Sequence, residues 1–386
     1  MKYSHPYVRL VAQWIPNLCA AYFAVFCFAF VLFTERDVLA QAQFQFSHGS
    51  TVYHPLISAI FCTLVLLLLG LLLDRVLNWL PLRMRAVAWF PSFLALGALT
   101  HWRLPLVSDG AEEASWWFLV PAILLWGLLL VFARIFFDTS KEHGTFPTYA
   151  WPNILILLIF TAISVDFANT NIRTHRLLAS VRMAHEGNWE GVLRQAKYEK
   201  HPSRQQSLLT ALALSRQDQL GEQLFAFPQP YGIEGLLPQE GDTLLFHSTL
   251  QMVGKQLRYL KTDRTTSDLF FEVADTLNVD SLHTLTPLCH YHLCALLLER
   301  RLDDFSQLLG RSYPSTPDSL LPAHYGQALA LCARDSLPLP ADYLRFDSLR
   351  RGLSPILRSK SANEREFQCR RAYGDTYWYY YFFSRK

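Results

Sequence analysis

The densest group of reactive side chains lies in PLCHYHLCALLLERRLDDF, which begins at Pro287. Cys289, His290, His292 and Cys294 put two thiols and two imidazoles within six residues, and these are zinc-ligand types. On a helix each residue turns by about 100°. His290 and Cys294 then share one face, Cys289 and His292 another, and the four groups spread over about 200° of the circumference. A tetrahedral ion needs its ligands to converge at about 2.0–2.3 Å. One helix cannot deliver that from these positions, and no second Cys/His pair at ligand spacing completes the set. The order of residues also fails the Cys-x-x-Cys-His pattern of covalent haem attachment. The segment reads as a packing helix, and neither a metal nor a cofactor is expected.

A second candidate is the acidic pair Glu35 and Asp37, which follows the first long apolar run. Membrane glycosyltransferases that use lipid-linked sugars place such a pair in their first outer loop. A carboxylate there can hold a divalent cation or act as general base toward an acceptor hydroxyl. Charged residues also end most apolar runs, and Arg36 sits between these two, so a solvated terminus is the plainer reading. Asp166, near the end of another apolar run, reads as reaching the headgroups or capping the next helix. The acids Asp109, Glu112 and Glu113 read as a solvated loop. Among motifs, G-x-S-x-G, a phosphate-cradling glycine loop, H-E-x-x-H and Cys-x-x-Cys do not occur in the chain.

The elements that position these residues fall into two halves. Up to residue 169 the chain carries 9 Lys+Arg and 9 Asp+Glu, and beyond it 26 and 23. Neither half is strongly basic, which excludes a nucleic-acid footprint. A bilayer core is crossed by about 20 mostly apolar residues in a helix. Five stretches are candidates: 14–33, 56–73, 86–102, 116–137 and 151–167. The third is short and holds Pro91. Trp14, Trp79, Trp89, Trp102, Trp116, Trp117 and Trp151 lie near span ends, as an aromatic belt does. The first span is too long for a cleavable signal core.

Lysine and arginine in short loops set the orientation. Lys2, Arg9, Arg75, Arg83, Arg85, Arg134 and Lys141 fall on one side, and Arg36 and Arg103 on the other. The N-terminus is expected in the cytoplasm. Five crossings then put the C-terminal half outside the inner membrane.

That half, 170–386, reads as short amphipathic helices in pairs. Leu177, Leu178, Val181 and Ala184 share a face, Gly187-Asn188 breaks the helix, and Trp189, Val192, Leu193 and Ala196 begin the next. SLLTALALSRQDQLGEQLF, from Ser207, repeats the pattern. Trp189/Leu193 and Leu220/Leu224 stand 31 residues apart, near the tetratricopeptide period of about 34. The Pro287 segment supplies a third pair, with Leu302 in the place of Trp189. LPAHYGQALALCARD, from Leu321, supplies a further first helix. Between them a Pro/Gly-rich loop, Phe225 to Leu244, interrupts the pattern, and helices resume from Leu245 to Leu277. Four cysteines in this half are not a disulfide framework, though one bridge, Cys294 to Cys332, stays open. GDTYWYYYFFSRK, from Gly374, reads as a cap sealing the last hydrophobic face.

Several stretches together resemble an uncharacterised family of polytopic membrane proteins with a tetratricopeptide-like C-terminal half. They are VLAQAQFQFSHGSTVYHPLISAI (Val38–Ile60), NWEGVLRQA, ALALSRQDQLGEQLF, GIEGLLP, LPAHYGQALAL and YGDTYWYYYFF. The resemblance implies architecture and no assigned activity. The expected fold is all-α: about five membrane helices followed by a helical repeat domain. The expected role is a non-enzymatic scaffold or assembly protein in the cell envelope. Its partners would be other envelope or membrane proteins and membrane lipid. Arg176, His185, Gln206, His290, His292 and His324 are the candidate groove residues. A lipid-linked-sugar glycosyltransferase using Glu35 and Asp37, and a small transporter, are the alternatives.

Overall fold

The computed structural model describes residues 6–47, 50–101, 119–136, 145–168, 172–237, 287–312, 321–332, 344–358 and 361–384. Every regular element among them is helical. The chain divides into two compact units, Met1–Leu178 and Ala179–Lys386. Several expectations lie outside the described residues: the Asp109, Glu112 and Glu113 loop, Arg103, Lys141, Trp102, Trp116, Trp117, and the helices expected from Leu245 to Leu277.

The first unit opens with α1 (Pro6–Ala29). A π-helical turn, Phe30–Thr34, widens its end, and α2 (Arg36–Phe46) follows directly. Then come α3 (Pro55–Val76), a 3-10 segment (Leu82–Trp89), α4 (Phe90–Thr100), α5 (Leu119–Phe136) and α6 (Phe146–Phe167). Four helical stretches are long and apolar enough to cross a membrane: Gln13–Thr34, Pro55–Val76, Leu119–Phe136 and Phe146–Phe167. Their outward faces carry exposed Leu64, Leu68 and Leu72 on α3 and Leu124, Leu128 and Ile135 on α5. Such a surface is stable against lipid and costly against water.

The expected third span is not one helix. Its first part is 3-10, with Met84 off helical geometry at φ −123°, ψ 20°, and α4 has only 11 residues. Pro91 explains the division. It lies in the first turn of α4, where its missing N–H breaks no helical hydrogen bond. Trp89, expected in an interfacial belt, is instead in the core. An ideal Cβ at Gly70 would stand 2.4 Å from its ring, so only a residue without a side chain lets α3 pass so closely.

Named contacts give the direction of each element relative to the 82–101 strip. Phe23 lies tilted against Trp89 at 5.4 Å and edge-on to Phe93 at 4.9 Å, and Phe26 stacks on Phe93, so α1 runs alongside in the same sense. Asn153 of α6 binds the start and the middle of the 3-10 segment: its Nδ2 donates to Leu82 O, and its Oδ1 accepts from Ala86 N, each at 2.7 Å. Higher on α6, Ser164 Oγ donates to Phe93 O at 3.1 Å, and Phe167 O lies 2.6 Å from His101 Nδ1. So α6 also runs in the same sense. In contrast, α3 pairs Gly70 with Trp89 and Asp74 with Arg85, and α5 pairs Trp126 with Val87 O and Arg134 with Trp79. Both therefore run opposite.

Arg85 is the charged anchor of this bundle. Its Nε donates to Asp74 Oδ1 at 2.6 Å, and its Nη2 donates to Asp74 Oδ2 at 3.0 Å and Asp74 O at 2.8 Å. Its Nη1 reaches Asn78 Oδ1 at 3.3 Å. The fork geometry of the guanidinium matches the carboxylate two-to-two.

The second unit is built from hairpins. These are α7 (Ile172–His185, entering from the first unit) with α8 (Trp189–Lys197), α9 (Arg204–Arg216) with α10 (Leu220–Gln223), and α11 (Pro287–Leu298) with α12 (Leu302–Ser312). Three turns inside them are built alike. Gly187, Asp218 and Arg300 each take positive φ, at 74°, 55° and 59°. The next residue's N–H reaches five residues back: Asn188 to Met183 O, Gln219 to Leu214 O, and Arg301 to Leu296 O, at 2.8–2.9 Å. The positive-φ N–H itself bonds three back, to Ala184, Ser215 and Leu297. This is the Schellman pairing, which satisfies the last carbonyls of the first helix. The second helix starts two residues after the positive-φ position each time, at Trp189, Leu220 and Leu302. The chain then adds α13 (Ala323–Cys332), α14 (Leu344–Leu357), α15 (Ala362–Tyr373) and α16 (Tyr377–Phe383).

Candidate functional site

The acidic pair sits at the elbow between the π-turn and α2. Glu35 is 1% exposed and Asp37 half-buried in the first turn of α2. Glu35 is the non-helical residue between the π-turn and α2, and Asp37 lies inside α2. Glu35 is turned into the protein, and its Oε2 has no hydrogen-bond partner. The pair is therefore not a convergent carboxylate clamp. Asp166, by contrast, is exposed in the last turn of α6.

The cysteine and histidine string behaves as a packing helix with one polar seam. Cys289, His292 and Cys294 are buried. His290 Nδ1 lies 3.0 Å from the Tyr325 hydroxyl, and the Cys294 thiol 3.6 Å from the same oxygen. Burial pushes the Cys294 thiol up to about 12, so it stays protonated and unreactive. All seven cysteines are free thiols, Cys294 and Cys332 among them, and Cys332 donates to Leu302 O at 3.6 Å. Among the described residues no three His, Cys, Asp or Glu side chains converge as a metal site requires.

The candidate groove residues divide. Gln206, His292 and His324 are buried. His290 and Arg176 are half-buried, and His185 is exposed. His290 packs on Tyr325 of α13, whereas His324, the residue before it, bonds Phe225 and Gln327. His324 is a groove candidate in the sequence because it is a polar residue on a first helix of the repeat pattern. The structure puts it under the C-terminal aromatic helix.

That helix is the best-organised polar constellation in the second unit. Tyr377 and Trp378 are fully buried. The Trp378 indole N–H donates to Gln327 O and the Tyr377 N–H to Gln327 Oε1, each at 2.8 Å. The Tyr377 hydroxyl donates to Leu297 O at 3.1 Å, and the Tyr380 hydroxyl to Leu298 O at 2.9 Å. These two carbonyls close α11, and the Tyr377 hydroxyl joins the Arg300 N–H on Leu297 O. Arg300, in the turn that follows, donates to Tyr380 O and Ser384 O and lies over the Tyr380 and Tyr381 rings. A left-handed arginine costs about 1–2 kcal/mol. Its position at the α11–α12 turn is what lets it close the end of α16.

His324 locks this latch. The Phe225 N–H donates to its Nε2 at 3.2 Å, so the ring proton is on Nδ1 and is donated to Gln327 Oε1 at 3.2 Å. Burial drives its pKa down from 6.5 to about 4, with the Gln327 hydrogen bond opposing. The folded chain therefore favours the neutral ring. Above pH 6.5 the ring is neutral in both folded and unfolded chains, and its contribution is complete. As pH falls from 6.5 to about 4 the unfolded chain takes up the proton first, and about 3 kcal/mol is lost. Thermal unfolding of the wild type, relative to His324→Gln, should show that loss across this window. A difference independent of pH would show that the ring is not held neutral.

A model for a family of unknown function (DUF6057) matches residues 18–254 and 249–384. No curated protein matches the chain, and no solved structure matches it. With the match covering most of both units, this all-α chain with several membrane-length apolar helices belongs to the DUF6057 family.

Proposed function

We propose that this chain is a five-crossing membrane anchor that displays a tetratricopeptide-like helical domain to partner proteins. The display side is the outer face of the cytoplasmic membrane. The observation that carries the repeat reading is the thrice-used turn at Gly187, Asp218 and Arg300, each with the same hydrogen bonds and the same offset to the second helix. Stacked helical pairs of this kind present extended surfaces for peptides and protein segments.

The alternating direction of α1, α3, the 82–101 strip, α5 and α6 supports five crossings. The strip runs beside α6 from Asn153 to Phe167, and a helix of that length rises about 21 Å. An odd number of crossings puts the two ends of the membrane unit on opposite faces. The excess of Lys and Arg on the N-terminal side favours a cytoplasmic N-terminus.

The test is photo-cross-linking of the full chain in native membranes, with the cross-linker at exposed positions such as His185 and Phe367, followed by recovery of the adducts. A discrete set of envelope proteins, retained by Glu35→Ala/Asp37→Ala, is expected. Loss of an envelope glycan in that variant, with adducts unchanged, would instead establish the glycosyltransferase reading.

A further inference from the structure

We propose that Glu35 is a proton-binding site: a neutral carboxylic acid, held in the π-turn that ends α1, which takes up and releases a proton at the edge of the membrane unit. The proposal goes beyond the display of a helical domain and does not depend on it.

Four observations converge. Glu35 is 1% exposed, and its Oε2 has no partner. A buried ionised carboxylate without a partner is far too costly to persist, so the group stays neutral. The backbone around it is π-helical, with the Glu35 N–H donating to Phe30 O five residues back at 3.0 Å. Single π-turns recur at functional sites because they spend helix stability on placing one side chain. Finally, the elements packed on the turn bring no compensating charge to Glu35. The titratable groups on the parts of these elements next to the turn are Cys27 on α1, Arg36 and Asp37 on α2 and Cys62 on α3, with Tyr53 in the connection before α3; Cys19 and Tyr22 lie farther back on α1, and Asp74 and Arg75 at the far end of α3. None contributes to the environment of the Glu35 carboxyl, and burial alone raises it from 4.5 to about 8.

The adjacent side chain gives the ionised state somewhere to go. Arg36 also has a buried donor, Nε, without a partner. In the observed state the two unpaired groups coexist because the acid is neutral. Loss of the proton leaves a bare anion, and the relief is a turn of the elbow that pairs it with Arg36 or admits water. The folded chain binds a proton that the unfolded chain has lost, so stability falls as pH rises from 4.5 through about 8.

The experiment is infrared titration of the full chain in lipid nanodiscs, following the stretching band of protonated carboxyl groups from pH 5 to 10. The expected result is one band that disappears with a midpoint near 8 and is absent from Glu35→Gln. Glu35→Leu serves for the assignment if the glutamine variant does not fold. A wild-type chain whose carboxyl bands are all gone by pH 6, or whose high-pH band survives both substitutions, overturns the proposal.

Discussion

Arg85→Ala is expected to destabilise the membrane unit by about 3–5 kcal/mol. The guanidinium makes two hydrogen bonds to the Asp74 carboxylate, one to its backbone carbonyl and one to Asn78. Both side chains are under one tenth exposed. Truncation leaves Asp74 buried without its counter-charge, and that desolvated anion, rather than the lost attraction, dominates the penalty. It also frees the 3-10 turn from α3, so α4 loses the anchor that sets its start. The double replacement Asp74→Leu/Arg85→Met removes both charges and should recover most of the loss. Thermal unfolding in detergent micelles reads both. If Arg85→Ala were as stable as wild type, the pair would be a surface contact and this account of the bundle would fail.

The second large effect is expected at the other end of the chain. Trp378→Ala should cost about 3–5 kcal/mol in the second unit. The ring is fully buried against Tyr373, at 5.7 Å between centroids, and its N–H satisfies Gln327 O. Truncation leaves a cavity and removes the indole's hydrogen bond to Gln327 O together. The expected signature is faster amide exchange in α13 and in the last turn of α11, whose carbonyls Tyr377 and Tyr380 hold. Phe382→Ala is the control. That ring is 41% exposed, and its loss should stay within about 0.5 kcal/mol. Equal exchange in both variants would mean that α16 is an appendage and not a seal.

Much of this architecture could be read from residue type and spacing. The long apolar runs announce the membrane helices, because a stretch such as LVLLLLGLLL has no stable place in water. The helical pairs announce themselves through Trp189, Leu220 and Leu302, which open the second helices where the spacing put them. The packing character of the Cys289–Cys294 string follows from helical angles alone. Other features were not legible. The 86–102 run has the composition of a span, yet Pro91 begins a helix there instead of interrupting one. Trp89 has the residue type of an interfacial belt, yet Gly70, nineteen positions earlier, opens the space that buries it. Asp218 and Arg300 carry left-handed turns that composition assigns to glycine.

What each segment must be shielded from is written in residue order. Hydrophobic periodicity is a property of neighbouring residues, and it separates lipid-facing helices from amphipathic pairs without any knowledge of partners. Which polar groups meet inside depends on how the helices pack. Asp74 with Arg85, Asn153 with the 3-10 turn, and His324 with Phe225 are all pairings between residues distant in the chain or on different elements. Glu35 is the counterpart, an acid at an ordinary span end that the π-turn carries out of water. The reason is physical: the cost of burying a polar group depends on what stands within about 3 Å of it, and spacing along one chain does not determine that distance.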